Sequence, residues 1–169
     1  HMDVDPAAIS KIIKVDIPVV GDAKNILIEL NKVVKERAAD SWNEKVMKWK
    51  GDRLFHYTDS QDVIKPQAVI EAVFRETSGN AIICTEVGQH QMWTAQYFKF
   101  NRPRQLLTSG GLGTMGFGMP AAMGAALSNP GVPVVDIAGD GSIQMNIQEL
   151  ATLSINRIPV KICILNNSY

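Results

Sequence analysis

Four short aliphatic runs alternate with stretches of helical pattern in the second half of the chain: Ala81 to Thr85, Gln105 to Thr108, Val132 to Ile137 and Pro159 to Leu165. Runs that are apolar throughout, rather than at every second residue, belong to strands covered on both faces. Between them lie helix-like segments at Pro66 to Thr77, Val87 to Phe98, Pro120 to Leu127 and Ile143 to Ile155. The alternation predicts an α/β fold, a parallel sheet with helices on both faces. In such sheets ligands bind beyond the carboxyl ends of the strands, so those ends are where chemistry is expected.

The rest of the chain is organised differently. Residues 1–38 read as the β/α end of another α/β domain. Met2 to Asp5 and Val15 to Val20 are strand-like, and Asp22 is placed to cap a helix running to about Arg37. Residues 39–63 are crowded with charge and read as a linker, and residues 64–169 carry the alternating pattern. Across 169 residues the 17 basic and 17 acidic side chains cancel, which removes the electrostatic footprint of a nucleic-acid or membrane-surface binder. No apolar run is long enough to span a membrane. Cys84 and Cys163 sit in apolar runs with no metal-ligand spacing, as buried thiols of a reducing, cytoplasmic setting do.

Two strand ends carry polar groups suited to a hard cation. PVVDIA runs into Gly139-Asp140-Gly141-Ser142, and PVKICIL runs into Asn166-Asn167-Ser168-Tyr169. Asp140 and Asn167 are 27 residues apart, the length of one β-α-β unit. On neighbouring strands their ends would lie ~4.8 Å apart. A carboxylate and an amide oxygen there suit Mg²⁺ or Ca²⁺ rather than zinc. From Gln105 to Asn156 there is no Lys or Arg. A phosphate in this region would therefore be met by the metal and by backbone N–H groups, with Ser142 at the start of the next helix. That combination points to a Mg²⁺-bridged diphosphate. A competing pattern, Gly111-Leu112-Gly113-Thr114-Met115-Gly116, matches the dinucleotide fingerprint. Gly118 and Pro120 delay the helix it requires, and Asp136 lies inside its strand rather than at the end.

Together these stretches resemble the thiamine diphosphate enzymes, whose signature is GDG followed some 25 to 30 residues later by NN. VGQHQMWTAQYF, PRQLLTSGGLGTMGFGMPAAMGAAL, GDGSIQMNIQELATL and PVKICILNN are similar to the acetolactate synthase (acetohydroxyacid synthase) catalytic large subunits in particular. The resemblance covers nearly the whole chain. Ser168 stands where Gln is common in that family and Met119 where Leu is common.

The resemblance implies side-chain Mg²⁺ ligation by Asp140 and Asn167, with the Tyr169 carbonyl as a third ligand. It implies a diphosphate loop of Val87, Gly88, Gln89 and His90, with Gly141 and Ser142 opposite. Read without it, His90 is an exposed loop histidine and Met115 core filler. With it, Gly113 and Met115 contact the aminopyrimidine ring, Met115 wedges the cofactor into its bent shape, and Met92 lies near the substrate entrance. Asp3, Val4, Asp22 and Ala23 match positions that contact a structural FAD.

The implied chemistry is decarboxylation of pyruvate and carboligation to a second 2-oxo acid, pyruvate or 2-oxobutyrate. The products would be 2-acetolactate or 2-aceto-2-hydroxybutyrate, precursors of branched-chain amino acids. The glutamate that activates the cofactor in this family has no counterpart here, so the chain reads as an internal piece, inactive alone, of a homodimer or homotetramer, with or without a regulatory small subunit. Another thiamine diphosphate carboligase or decarboxylase, such as glyoxylate carboligase, and a non-catalytic dinucleotide-binding module are the other readings.

Overall fold

The computed structural model describes residues 1–36, 40–52 and 55–167. The chain divides into two compact units, residues 1–54 and 55–169.

In the first unit, β1 (Met2–Asp3) and β2 (Val19–Val20) pair in parallel, and α1 (Ala23–Val33) follows. The strand expected from Val15 is only two residues long. Pro18, just before it, has no N–H for a ladder, and β1 itself offers only two residues for pairing. Asp22 caps α1, its Oδ1 accepting from the Asn25 N–H at 3.1 Å. The helix ends at Val33, short of the expected Arg37, which lies outside the described residues. The charged stretch read as a linker contains a helix, α2 (Ser41–Gly51), capped by Asp40. Trp42 and Trp49 meet edge to face on it, with the Lys45 ammonium 5.0 Å from the Trp49 ring.

The second unit comprises α3 (Pro66–Glu76), β3 (Ile82–Thr85), α4 (Gln89–Tyr97), β4 (Leu106–Thr108), α5 (Gly118–Ser128), β5 (Val134–Gly139), α6 (Glu149–Ile155) and β6 (Val160–Leu165). The strands form one wholly parallel sheet in the order β4-β3-β5-β6. Alternation along the strands divides the core in two. Ile83, Val135 and Ile137 point to one face and pack with Ile70 of α3 and with Phe98. Ile82, Cys84 and Val134 point to the other and pack with Ala122, Ala125 and Ala126 of α5. The small residues of α5 let that helix lie close to the sheet. Helices therefore cover both faces, as the aliphatic runs predict.

Two helix boundaries differ from expectation. α5 starts at Gly118, because Pro120 falls in its first turn, where a missing N–H breaks no helical bond. The helix expected from Ile143 to Ile155 is instead a 3-10 turn over Ser142–Asn146 followed by the short α6. Side chains of that turn bond outside it: Gln144 donates to the Asp140 carbonyl at 2.9 Å and Asn146 to the Gly116 carbonyl at 2.7 Å.

Candidate functional site

All four strands point the same way, so their carboxyl ends share one rim. Gly139 of β5 pairs with Leu165 of β6, which brings Asp140 and Asn166 off neighbouring strands at the same level. Ile137 of β5 pairs with Thr85 of β3, so the Glu86–His90 turn leaves from the other side of β5. Three successive strand ends thus converge on one cleft of about 540 Å³. Its lining includes Val87, Gly88, Gln89 and His90 from the first turn, Gly139, Asp140, Gly141 and Ser142 from the second, and Asn166 and Asn167 from the third. Met115 reaches it from the Gly-rich turn.

His90 is the most constrained of these side chains. It is buried, not the exposed loop histidine that the isolated residue suggests, and it lies in the first turn of α4. Its ring is wedged between two glycines. A Cβ on Gly88 would stand 2.8 Å from His90 Cε1, and one on Gly139 would stand 2.9 Å from both Cε1 and Nδ1. Burial holds its pKa below the usual histidine value, opposed by a hydrogen bond to the Glu86 backbone and by the charge of Asp140. Nε2 is buried with no partner among the described residues. A buried polar atom without a partner beside a polar cleft is a group awaiting a ligand.

Other contacts stiffen the rim. The Thr85 and Thr108 hydroxyls share a 2.6 Å hydrogen bond, and Gln91 Nε2 donates to Thr108 Oγ1 at 2.7 Å. These bonds tie the start of α4 to the ends of β3 and β4. Ser142 is buried with its hydroxyl turned inward, accepting from the Gly139 N–H at 3.2 Å and facing the Gly139 carbonyl at 3.3 Å. That hydroxyl braces the turn, and the segment it opens is the 3-10 turn rather than the head of a long helix.

Among the described residues no three His, Cys, Asp or Glu side chains come together as a metal cluster. A cation here would have to be held by the Asp140 carboxylate, amide and carbonyl oxygens, and oxygens of a ligand. Mg²⁺ is commonly bound that way, with one or two carboxylates and the phosphates of a nucleotide or cofactor. Tyr169, the expected third ligand, lies outside the described residues.

Not every expected residue joins the cleft. Met92 is exposed on α4 and does not line it. Gly113 does not line it either; a Cβ there would stand 3.8 Å from Val87. Asp3, Val4, Asp22 and Ala23 belong to the first unit. There Asp3 accepts from the Asp5 N–H at 2.9 Å, and Gly21 and Asp22 border a cleft against α1. Cys163 lines the rim cleft, but burial raises its thiol pKa, and it pushes that of Cys84 up to about 12, which leaves neither a reactive thiolate.

The dinucleotide reading fails on geometry. The turn after β4 leads through α5 to β5, and those strands are not neighbours. Asp136, the acid of that strand, is sealed beneath Gly118, far from the place of a ribose-binding carboxylate at a strand end.

Sequence reasoning missed Glu86. It is fully buried, and it accepts the Gly116 N–H at 2.6 Å and the Met119 N–H at 3.1 Å. The available signal was one acid in an otherwise apolar strand exit, ICTEVG.

Residues 86–169, which hold the rim and three of the four strands of its sheet, match the family model described as thiamine pyrophosphate enzyme, C-terminal TPP binding domain. The chain is also similar from end to end to acetolactate synthase large subunits. It is 47% identical over 172 residues to that of Buchnera aphidicola subsp. Schizaphis graminum, covering 99% of this chain and 30% of the relative. It is 44% identical over 176 residues to the isozyme 3 large subunit of Escherichia coli, covering 100% and 31%. Residues 86–169 of this chain belong to the thiamine pyrophosphate enzymes. A plant relative, acetolactate synthase 1, chloroplastic, of Zea mays, is 47% identical over 175 residues, covering 100% of this chain and 27% of its own. The chain spans about three tenths of the length of these curated relatives. The thiamine pyrophosphate match begins at Glu86, the first residue of the turn that forms one wall of the cleft. Among the described residues no helix is long and apolar enough to cross a membrane.

Proposed function

We infer that the rim cleft holds the diphosphate of thiamine diphosphate through a Mg²⁺ ion, as part of an acetolactate synthase. The observation that carries this reading is the adjacency of β5 and β6, which sets Asp140 and the Asn166-Asn167 pair side by side. The Asp140 carboxylate and the Asn167 amide oxygen, with the Tyr169 carbonyl, would ligate the metal. Val87, Gly88, Gln89 and His90 would take the diphosphate from one side and Gly141 and Ser142 from the other. The partnerless, buried Nε2 of His90 and the glycines packed on its ring fit such a group. Gly113 and Met115 would present backbone to the aminopyrimidine ring, with the Met115 side chain beneath the cofactor.

Thiamine diphosphate, when bound, supplies the electron sink for decarboxylation of a 2-oxo acid. The chain's own part is to bind, orient and exclude water. The strand ends would hold the charged tail, and Met115 would set the ring. The substrates are pyruvate and a second 2-oxo acid, pyruvate or 2-oxobutyrate. Asp3, Val4, Asp22 and Ala23, in the unit that carries the α1 cleft, would contact FAD. The "large subunit" in the relatives' names supports assembly with a smaller regulatory chain, and the free cysteines suit a reducing compartment such as the cytoplasm.

The test is product formation by the native full-length protein from pyruvate, with thiamine diphosphate, Mg²⁺ and FAD omitted in turn. The expected result is acetolactate that disappears without thiamine diphosphate or Mg²⁺. A protein that consumes glyoxylate instead, or forms no carboligation product, contradicts the assignment.

A further inference from the structure

Two carboxylates are shut away beneath the Gly-rich turn. Glu86 and Asp136 are both fully buried, and they share the α5 face of the sheet with Ile82 and Cys84. Gly118 seals them in: a Cβ there would strike the Asp136 carboxylate and come within 2.6 Å of the Glu86 nitrogen. Neither ion pair found among the described residues, His1–Asp3 and Lys32–Glu29, involves them. Burying a carboxylate with no cation beside it is costly, because nothing replaces the hydration it loses. A side chain kept there against that cost must do something an apolar residue could not.

Its hydrogen bonds show what that is. The two oxygens of Glu86 divide their work, Oε2 accepting from the Gly116 N–H and Oε1 from the Met119 N–H. Only a carboxylate can accept at both positions, since a glutamine would present an NH₂ to one of the donors. Gly116 is also held from the opposite side, where Asn146 donates to its carbonyl, and its φ of 88° is open to glycine but not readily to other residues. Upstream, the Gly113 N–H reaches the Ser109 carbonyl and the Thr114 N–H reaches Ser109 Oγ, each at 3.0 Å. Met115 is therefore the one residue between two anchored stretches of backbone, and it lines the cleft.

We propose that Glu86 is a positioning residue for the ring end of the cofactor, its two carboxylate oxygens clamping the Gly113–Met119 turn in the shape that receives the aminopyrimidine. The clamp rests on the thiamine diphosphate reading, but it acts on the ring and not on the diphosphate. That separates it from the metal site at Asp140.

The experiment uses the native full-length protein, wild type and Glu86→Gln, with Glu86→Asp as a second variant. The aspartate keeps the charge but is one methylene too short to span both donors. Hydrogen exchange is followed in the cofactor-free protein, and calorimetry compares Mg²⁺-thiamine diphosphate with Mg²⁺-pyrophosphate, which lacks the ring. The expected result is exchange about tenfold faster across residues 113–119, with the β3 and β5 amides unchanged. Thiamine diphosphate should bind about tenfold more weakly and pyrophosphate within about twofold of wild type. Unchanged exchange in the turn, or equal weakening of both probes, overturns the clamp. If the wild type binds neither probe, the thiamine diphosphate reading fails, and the exchange comparison alone then upholds or overturns the clamp.

Discussion

Leu165 of β6 lies in parallel register with Gly139 of β5, so the residues after them, Asn166 and Asp140, leave the sheet together. That pairing turns two sequence motifs separated by a helical crossover into a single rim. A carboxylate, three amides and a wedged imidazole then line one cleft with no lysine or arginine among its lining residues. Anionic ligands in such a place depend on a metal and on backbone N–H groups for their countercharge.

The Gly139–His90 contact is expected to be intolerant of a methyl group. Gly139 lies in a fully buried strand, and a Cβ there would press on the His90 ring at 2.9 Å. Gly139→Ala should cost about 1–3 kcal/mol of stability, the usual penalty of overpacking. It should also weaken diphosphate binding by moving Nε2. Denaturant midpoints and calorimetry on the same variant check both effects, and unchanged values for both would show that His90 can shift without consequence.

Asp136 should make stability depend on pH in a defined direction. Burial, and after it the charge of Glu86, push its carboxyl up to about 7 from the ordinary 3.8. Below about pH 4 the group is protonated whether the chain is folded or not, and it contributes nothing. Between about pH 4 and 7 only the unfolded chain releases the proton, so folding stability falls as pH rises, and above about 7 the loss is complete. The interval corresponds to roughly 4 kcal/mol. The thiols near Asp136, Cys84 on the same face of the sheet and Cys163 on the opposite one, both have raised pKa values and stay neutral across this window. Asp136→Asn should flatten that decline, so that its stability relative to wild type improves steadily from about pH 4 to 7 and then levels off. An offset independent of pH would contradict a protonated Asp136.

The sheet was legible because Ala81–Thr85, Val132–Ile137 and Pro159–Leu165 are apolar on both faces, which few structures other than covered parallel strands tolerate. The spacing of Asp140 and Asn167 likewise anticipated that β5 and β6 are neighbours, since one crossover unit separates adjacent parallel strands. Side-chain competition for backbone groups was not legible. The reach of Asn146 to Gly116 and of Gln144 to Asp140 splits a helix whose apolar periodicity looks continuous. Glu86 escaped notice for a related reason. A lone acid at a strand exit normally faces water, and only the fold of a turn some thirty residues downstream shows that it faces two N–H groups instead. His90 read alone looked exposed, because nothing in QHQMW reveals that Gly88 at the start of α4 and Gly139 at the end of β5 will close over its ring.

The most direct measurement is calorimetric titration of the native full-length protein and its Asp140→Ala variant with thiamine diphosphate, with and without Mg²⁺. Wild type should bind tightly only with the metal. The variant should lose at least about 100-fold in affinity, about 3 kcal/mol, and should no longer respond to Mg²⁺. Equal, metal-dependent affinity in the two proteins would contradict a cation held at the paired ends of β5 and β6.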